Sequence, residues 1–224
     1  MARDLILKFT CVLLFVGLAA GLIGQFELMK PGILFLSEAA WLPILKLHIW
    51  ATSISLCVIC FFTLPLMRHK ITARHWIIWG AAAVLPLLTG LMTQVMLSNT
   101  GADAYLHDTV YMTANRHAFG VVGLCIALGG MSAWQKMNGK SVSLKFTIPI
   151  AVMLSFSGLG LVITQAALGL NGMPSRYIDY PQAFAQLQFY VSLAAIICLS
   201  LAGLYLVLLW RRPDERAAYL DDVF

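Results

Sequence analysis

The sequence predicts an all-α protein, a six-helix transmembrane bundle in one domain (residues 1–224) with both termini cytoplasmic. Composition is the first reason: of 224 residues, 60% are hydrophobic and 11% charged, with a mean hydropathy of +0.84. A water-soluble domain is nearer half apolar and a quarter charged, so a soluble globule is excluded. The second reason is that six apolar segments are each long enough to cross the hydrocarbon of a bilayer, which takes about 20 residues. The third is that the cations gather in alternate loops. The net charge of +5 therefore reads as cytoplasmic loops rather than as a nucleic-acid surface.

The expected spans run from Leu5 to Gly24, Leu42 to Met67, Trp76 to Leu97, Thr109 to Trp134, Phe146 to Leu170 and Phe184 to Trp210. Arg3 and Lys8 at the first give it the look of a signal peptide. Its apolar stretch is long and no small-residue cleavage site is convincing, so it reads as an anchor. With the N-terminus inside, 11 cations fall on the cytoplasmic side, among them Arg3, Lys8, Arg68, Lys70, Lys136, Lys145 and Arg211, whereas 4 (Lys30, Lys46, Arg116, Arg176) fall outside. The inner loops are short polar turns, one of them ended by Gly139. The outer loops carry Gly, Pro and acids, notably Pro31-Gly32, Gly101 to Asp108 and Gly172 to Pro181.

Five cysteines all fall in apolar runs. Cys57 and Cys60 have C-x-x-C spacing, but Phe61 follows, so the C-x-x-C-H site of a c-type haem is absent and the thiols are expected to behave as small apolar residues.

Of five histidines, His69 and His75 lie in a basic cytoplasmic turn and are expected to be solvated or at the headgroups, and His107 lies at the outer edge of the fourth span. His48 and His117 sit inside spans, where an ionisable residue is costly and points to function. Pro43 suits the first turn of the second span and Asp108 or Thr109 can cap the fourth. His48 is then about 9 Å and His117 about 13 Å in, at 1.5 Å per residue. Two imidazoles at similar depth fit a bis-histidine haem site, with Gly120, Gly123, Gly129 and Gly130 as small positions where a macrocycle or a helix approaches. They equally fit hydrogen-bonded core histidines or a proton relay, and spacing does not choose.

Longer motifs do. His107-Asp108-Thr109-Val110-Tyr111-Met112-Thr113-Ala114-Asn115-Arg116-His117 resembles the HDTYYVVAHFH stretch of subunit I of the haem-copper cytochrome oxidases. Gly169-Leu170-Asn171-Gly172-Met173-Pro174-Ser175-Arg176-Tyr177-Ile178-Asp179-Tyr180-Pro181 resembles that family's GLxGMPRRxxDYP loop, and Glu27-Leu28-Met29-Lys30-Pro31-Gly32 its ELxxPG stretch. The resemblance covers the family's first three and last three helices, with the middle six missing.

It implies that His48 and His117 are the axial ligands of the low-spin haem and that Arg176, with Trp41 in place of a tyrosine, meets the propionates. An Arg fork suits a carboxylate there. Gln165 matches a Gln near the end of the preceding helix. Asn115 replaces the histidine of the oxygen-reducing haem, and the copper ligands belong to missing helices, so one haem and no copper are expected. Arg116 replaces an aromatic, which suits an empty or water-filled second site, a new propionate partner or a cation snorkelling to the surface. Gln25 replaces the arginine that bonds the formyl group of haem a, and Val121 a serine that meets the farnesyl hydroxyl. A b-type haem is therefore favoured over haem a or o. His107 and Asp108 match a pair that helps hold magnesium in the family, but a further ligand comes from a second subunit, so capping and an interface or propionate hydrogen bond are the preferred roles.

The function implied is a single-haem electron-transfer protein of the bacterial inner membrane, its haem towards the outer face, exchanging electrons with a partner subunit, a cupredoxin, a cytochrome or quinol. A non-catalytic assembly, haem-carrier or sensor role is the alternative of a different class, and a complete terminal oxidase the least supported.

Overall fold

In hydrocarbon every backbone N–H and C=O must be satisfied within its own segment, so apolar stretches of this length fold as helices. The computed structural model describes residues 2–29, 38–140, 142–174 and 181–211. These form α1 (Ala2–Met29), α2 (Glu38–Thr63), α3 (Ala73–Leu97), α4 (Thr100–Leu106), α5 (Val110–Met137), α6 (Leu144–Leu170) and α7 (Ala185–Trp210). All but α4 are long and apolar enough to span a membrane, and no strand occurs among the described residues.

The spans differ from expectation at their ends. α2 begins at Glu38, so Pro43 falls within the helix rather than at its start, and His48 lies about 15 Å from the helix start. The same helix stops at Thr63, because Pro65 has no N–H to continue the ladder, and two 3-10 turns (Leu64–Arg68, Lys70–Thr72) lead to α3. The loop after α3 contains α4, whose cap is Asn99: its side-chain oxygen accepts from the N–H groups of Gly101 (3.1 Å) and Ala102 (3.3 Å). Thr109, not Asp108, caps α5, accepting from the Tyr111 N–H at 3.2 Å.

α1, α2, α5, α6 and α7 pack in a closed ring, each against the next, while α3 lies outside the ring against α5 and α6. At the end of the bundle near Ala2 and Arg211 the interior is filled by Trp76, Trp79, Trp134, Tyr205 and their aliphatic neighbours. There the Tyr205 hydroxyl lies 2.8 Å from that of Ser132 and 3.2 Å from that of Thr147, joining α5, α6 and α7. At the opposite end the Val110 N–H donates to the Met173 carbonyl at 3.0 Å, fixing the start of α5 beside the end of α6. Gly169 makes this possible, because a Cβ there would collide with the Tyr111 backbone.

Candidate haem-binding site

α2 and α5 are close at one end and splayed at the other. A Cβ on Gly130 would collide with the Thr63 hydroxyl, whereas one on Gly120, nearly three turns earlier in α5, would meet nothing within 4 Å. The splay opens a cavity of about 360 Å³ inside the five-helix ring. Its walls include Gln25 on α1, His48, Thr52 and Ser53 on α2, Arg116, His117, Gly120 and Val121 on α5, Leu161 on α6 and Cys198 on α7.

Both intramembrane histidines line this one cavity, and both are tied by the same nitrogen. His48 Nδ1 lies 2.8 Å from the Gly17 carbonyl oxygen of α1. A carbonyl only accepts, so Nδ1 carries the proton and the Nε2 lone pair is left free. His117 Nδ1 lies 2.7 Å from Oε1 of Gln165, a side chain only 4% exposed near the end of α6. An imidazole held through one nitrogen, with the other left as a lone-pair donor, is the arrangement that metal-ligating histidines adopt. Gly21 belongs to the same construction. A Cβ there would stand 2.6 Å from His48 Nδ1, so the ring lies against bare α1 backbone.

The remaining candidate residues divide. Gln25 lines the cavity, and its Oε1 is buried with no hydrogen-bond partner among the described residues. Trp41, two turns before His48 on α2, is buried, and its indole Nε1 likewise has no partner there. Arg116 is exposed and lines the cavity beside His117. Arg176 lies outside the described residues. His107 is exposed, with Nδ1 3.7 Å from an Asp103 carboxylate oxygen, and Asp108 is exposed too. Among the described residues no three His, Cys, Asp or Glu side chains gather as a metal site.

His69 is exposed as expected, but His75 is buried, and the expectation of a solvated residue is corrected. It falls on the stripe of α3 (His75, Trp79, Ala82, Pro86, Gly90, Thr93) that packs into the bundle, a facing that loop charge does not reveal. All five cysteines are free thiols; Cys57 is exposed, Cys60 half-buried, and Cys11, Cys125 and Cys198 buried.

Asn115 points out of the ring, towards α3. Its amide donates to the Thr93 hydroxyl at 2.9 Å and to the Gly90 carbonyl at 3.1 Å. A Cβ on Gly90 would sit 3.0 Å from that of Ala118, so α3 closes directly over this face of α5.

The sequence model of the family described as cytochrome c and quinol oxidase polypeptide I matches residues 54–202, two thirds of the chain. The chain belongs to this oxidase subunit I family. It is 33% identical over 123 residues to cytochrome c oxidase subunit 1 of Cereibacter sphaeroides, a match covering 54% of this chain and 22% of that protein. Against the same-named protein of Albinaria turrita, identity is 28% over 137 residues, covering 59% and 69% respectively. Against that of Mytilus edulis it is 27% over 134 residues, covering 59% and 24%. As an oxidase subunit I-like protein it is an integral membrane protein, haem is implied by the family, and the chain spans about a fifth of the length of the Cereibacter relative it matches. The family match begins after His48 and includes His117 and Gln165.

Two parts of the site escaped sequence reading. The Gly17 carbonyl and bare Gly21 are signalled only by small residues four apart, a spacing that marks close helix contact but not what lies against it. The family resemblance singled out Gln165, but its pairing with His117 had no local signal.

Proposed function

We propose that this protein is a membrane-bound electron carrier built around a single low-spin haem with His48 and His117 as its axial ligands. The observation that carries the reading is that two intramembrane imidazoles line one cavity, each with Nδ1 occupied and Nε2 free. The cavity suits a macrocycle in two further ways: bare Gly120 leaves room and the wall is mainly apolar.

A bound haem supplies one-electron Fe(II)/Fe(III) chemistry. His48 and His117 would hold the iron, each through its free Nε2, and with both bound none of its positions would be left for oxygen or CO; the Gly17 carbonyl and Gln165 keep both rings oriented. Arg116, with Trp41 and Arg176, is proposed to neutralise and hydrogen-bond the propionates. Val121 stands where a serine would meet the farnesyl hydroxyl and Gln25 where an arginine would bond the formyl group, which favours a b-type haem over haem a or o. Asn115 is engaged by α3 rather than offered to a second macrocycle, which supports a single haem. His107 and Asp108 are not proposed as magnesium ligands.

Loop charge supports cytoplasmic termini, hence a haem near the outer face of a bacterial inner membrane, within reach of a partner subunit, cupredoxin, cytochrome or quinol. The test is a pyridine-haemochrome assay and reduced-minus-oxidised spectra of the purified protein, with and without CO. One low-spin haem per chain, unresponsive to CO, is expected. His48→Ala and His117→Ala should each abolish the spectrum and His69→Ala should preserve it. A CO-reactive high-spin band, or no haem, overturns the proposal.

A further inference from the structure

Away from the haem cavity, at the Ala2 and Arg211 end of the bundle, a second hollow of about 280 Å³ lies in the seam between α1 and α7. Cys11, Val12, Phe15, Leu206 and Trp210 make an apolar trough, and Arg211 stands at its mouth. Lys8 lies three and four residues before Cys11 and Val12, so it sits one turn nearer the same mouth on the same face of α1. Both cations are exposed, and among the described residues neither forms an ion pair with a carboxylate. Asp4, the acid nearest Lys8 in sequence, is turned to α5, where it accepts a hydrogen bond from the Trp134 indole at 3.1 Å.

An apolar trough in a membrane-spanning seam, with two exposed cations that have no carboxylate partner among the described residues and a tryptophan where the helices leave the hydrocarbon, matches one chemistry. We propose that this groove is a binding site for an acidic phospholipid, with one acyl chain between α1 and α7 and its phosphodiester between Lys8 and Arg211. The guanidinium fork suits phosphate oxygens, and cations at this level favour anionic over zwitterionic headgroups. A quinone has the chain but not the charge, and would leave both cations unmatched.

The test is native mass spectrometry of the delipidated protein, titrated with dioleoyl phosphatidylglycerol or dioleoyl phosphatidylcholine. Preferential phosphatidylglycerol adducts are expected. Lys8→Ala with Arg211→Ala should reduce them roughly 10- to 30-fold, at about fivefold per cation, while the charge-matched pair Lys140→Ala with Lys145→Ala should not. Val12→Trp, which fills the trough and keeps both cations, should also reduce them. Equal retention of the two lipids, equal losses in the two double variants, or a co-purifying quinone displaced by neither lipid overturns the proposal. Melting temperatures of all variants, measured in parallel, separate lost binding from lost folding.

Discussion

His48 donates its Nδ1–H to the carbonyl oxygen of Gly17, 2.8 Å away on the neighbouring helix. The ring therefore rests on α1 at Gly21, one turn further along. Gly21→Ala would place a methyl 2.6 Å from Nδ1. The imidazole or the helix must move, at about 1–3 kcal/mol. The haem-to-protein ratio of Gly21→Ala should fall well below that of the wild type. Gly24→Ala, where a Cβ meets nothing within 4 Å, should load normally.

The Gln165 amide is expected to set both the hold and the electronics of His117. Gln165→Leu removes the acceptor of a ligating imidazole, which typically costs roughly 10- to 100-fold in affinity, read as haem loss on dilution or on challenge with apomyoglobin. Gln165→Glu keeps an acceptor but makes it anionic. A carboxylate drives the ring towards imidazolate, stabilises Fe(III) and so lowers the midpoint potential in a redox titration.

Asn115 is expected to be structural. Asn115→Leu loses two hydrogen bonds to α3, but the Thr93 hydroxyl still donates to the Gly90 carbonyl at 2.9 Å, so both groups keep a partner. The loss should be modest, about 1 kcal/mol, visible in thermal melting with the low-spin spectrum unchanged. Asn115→His, which restores the residue type of the oxygen-reducing site, should give no CO-reactive band, because α3 covers that face of α5.

Tyr205 ties three helices but should be dispensable for redox behaviour. In Tyr205→Phe, Ser132 still donates to the Leu128 carbonyl at 2.7 Å and Thr147 to that of Ser143 at 3.2 Å. A destabilisation of about 0.5–1.5 kcal/mol is expected, without change in haem content or potential.

The architecture was legible in the sequence because hydrocarbon leaves the backbone one solution. Runs of about 20 apolar residues must be helices, and their number is countable. Position likewise marked His48 and His117, since an imidazole inside a span is conspicuous. Local sequence could not say which way a helix face turns. His75 reads as a solvated loop residue yet is buried, and Gly17 and Gln165, 148 residues apart, serve the two histidines only because α1 packs on α2 and α6 on α5. Which face of α5 looks into the cavity and which is sealed by α3 is fixed by helix packing. The free Nε2 of each ring follows from where a carbonyl on another helix comes to lie.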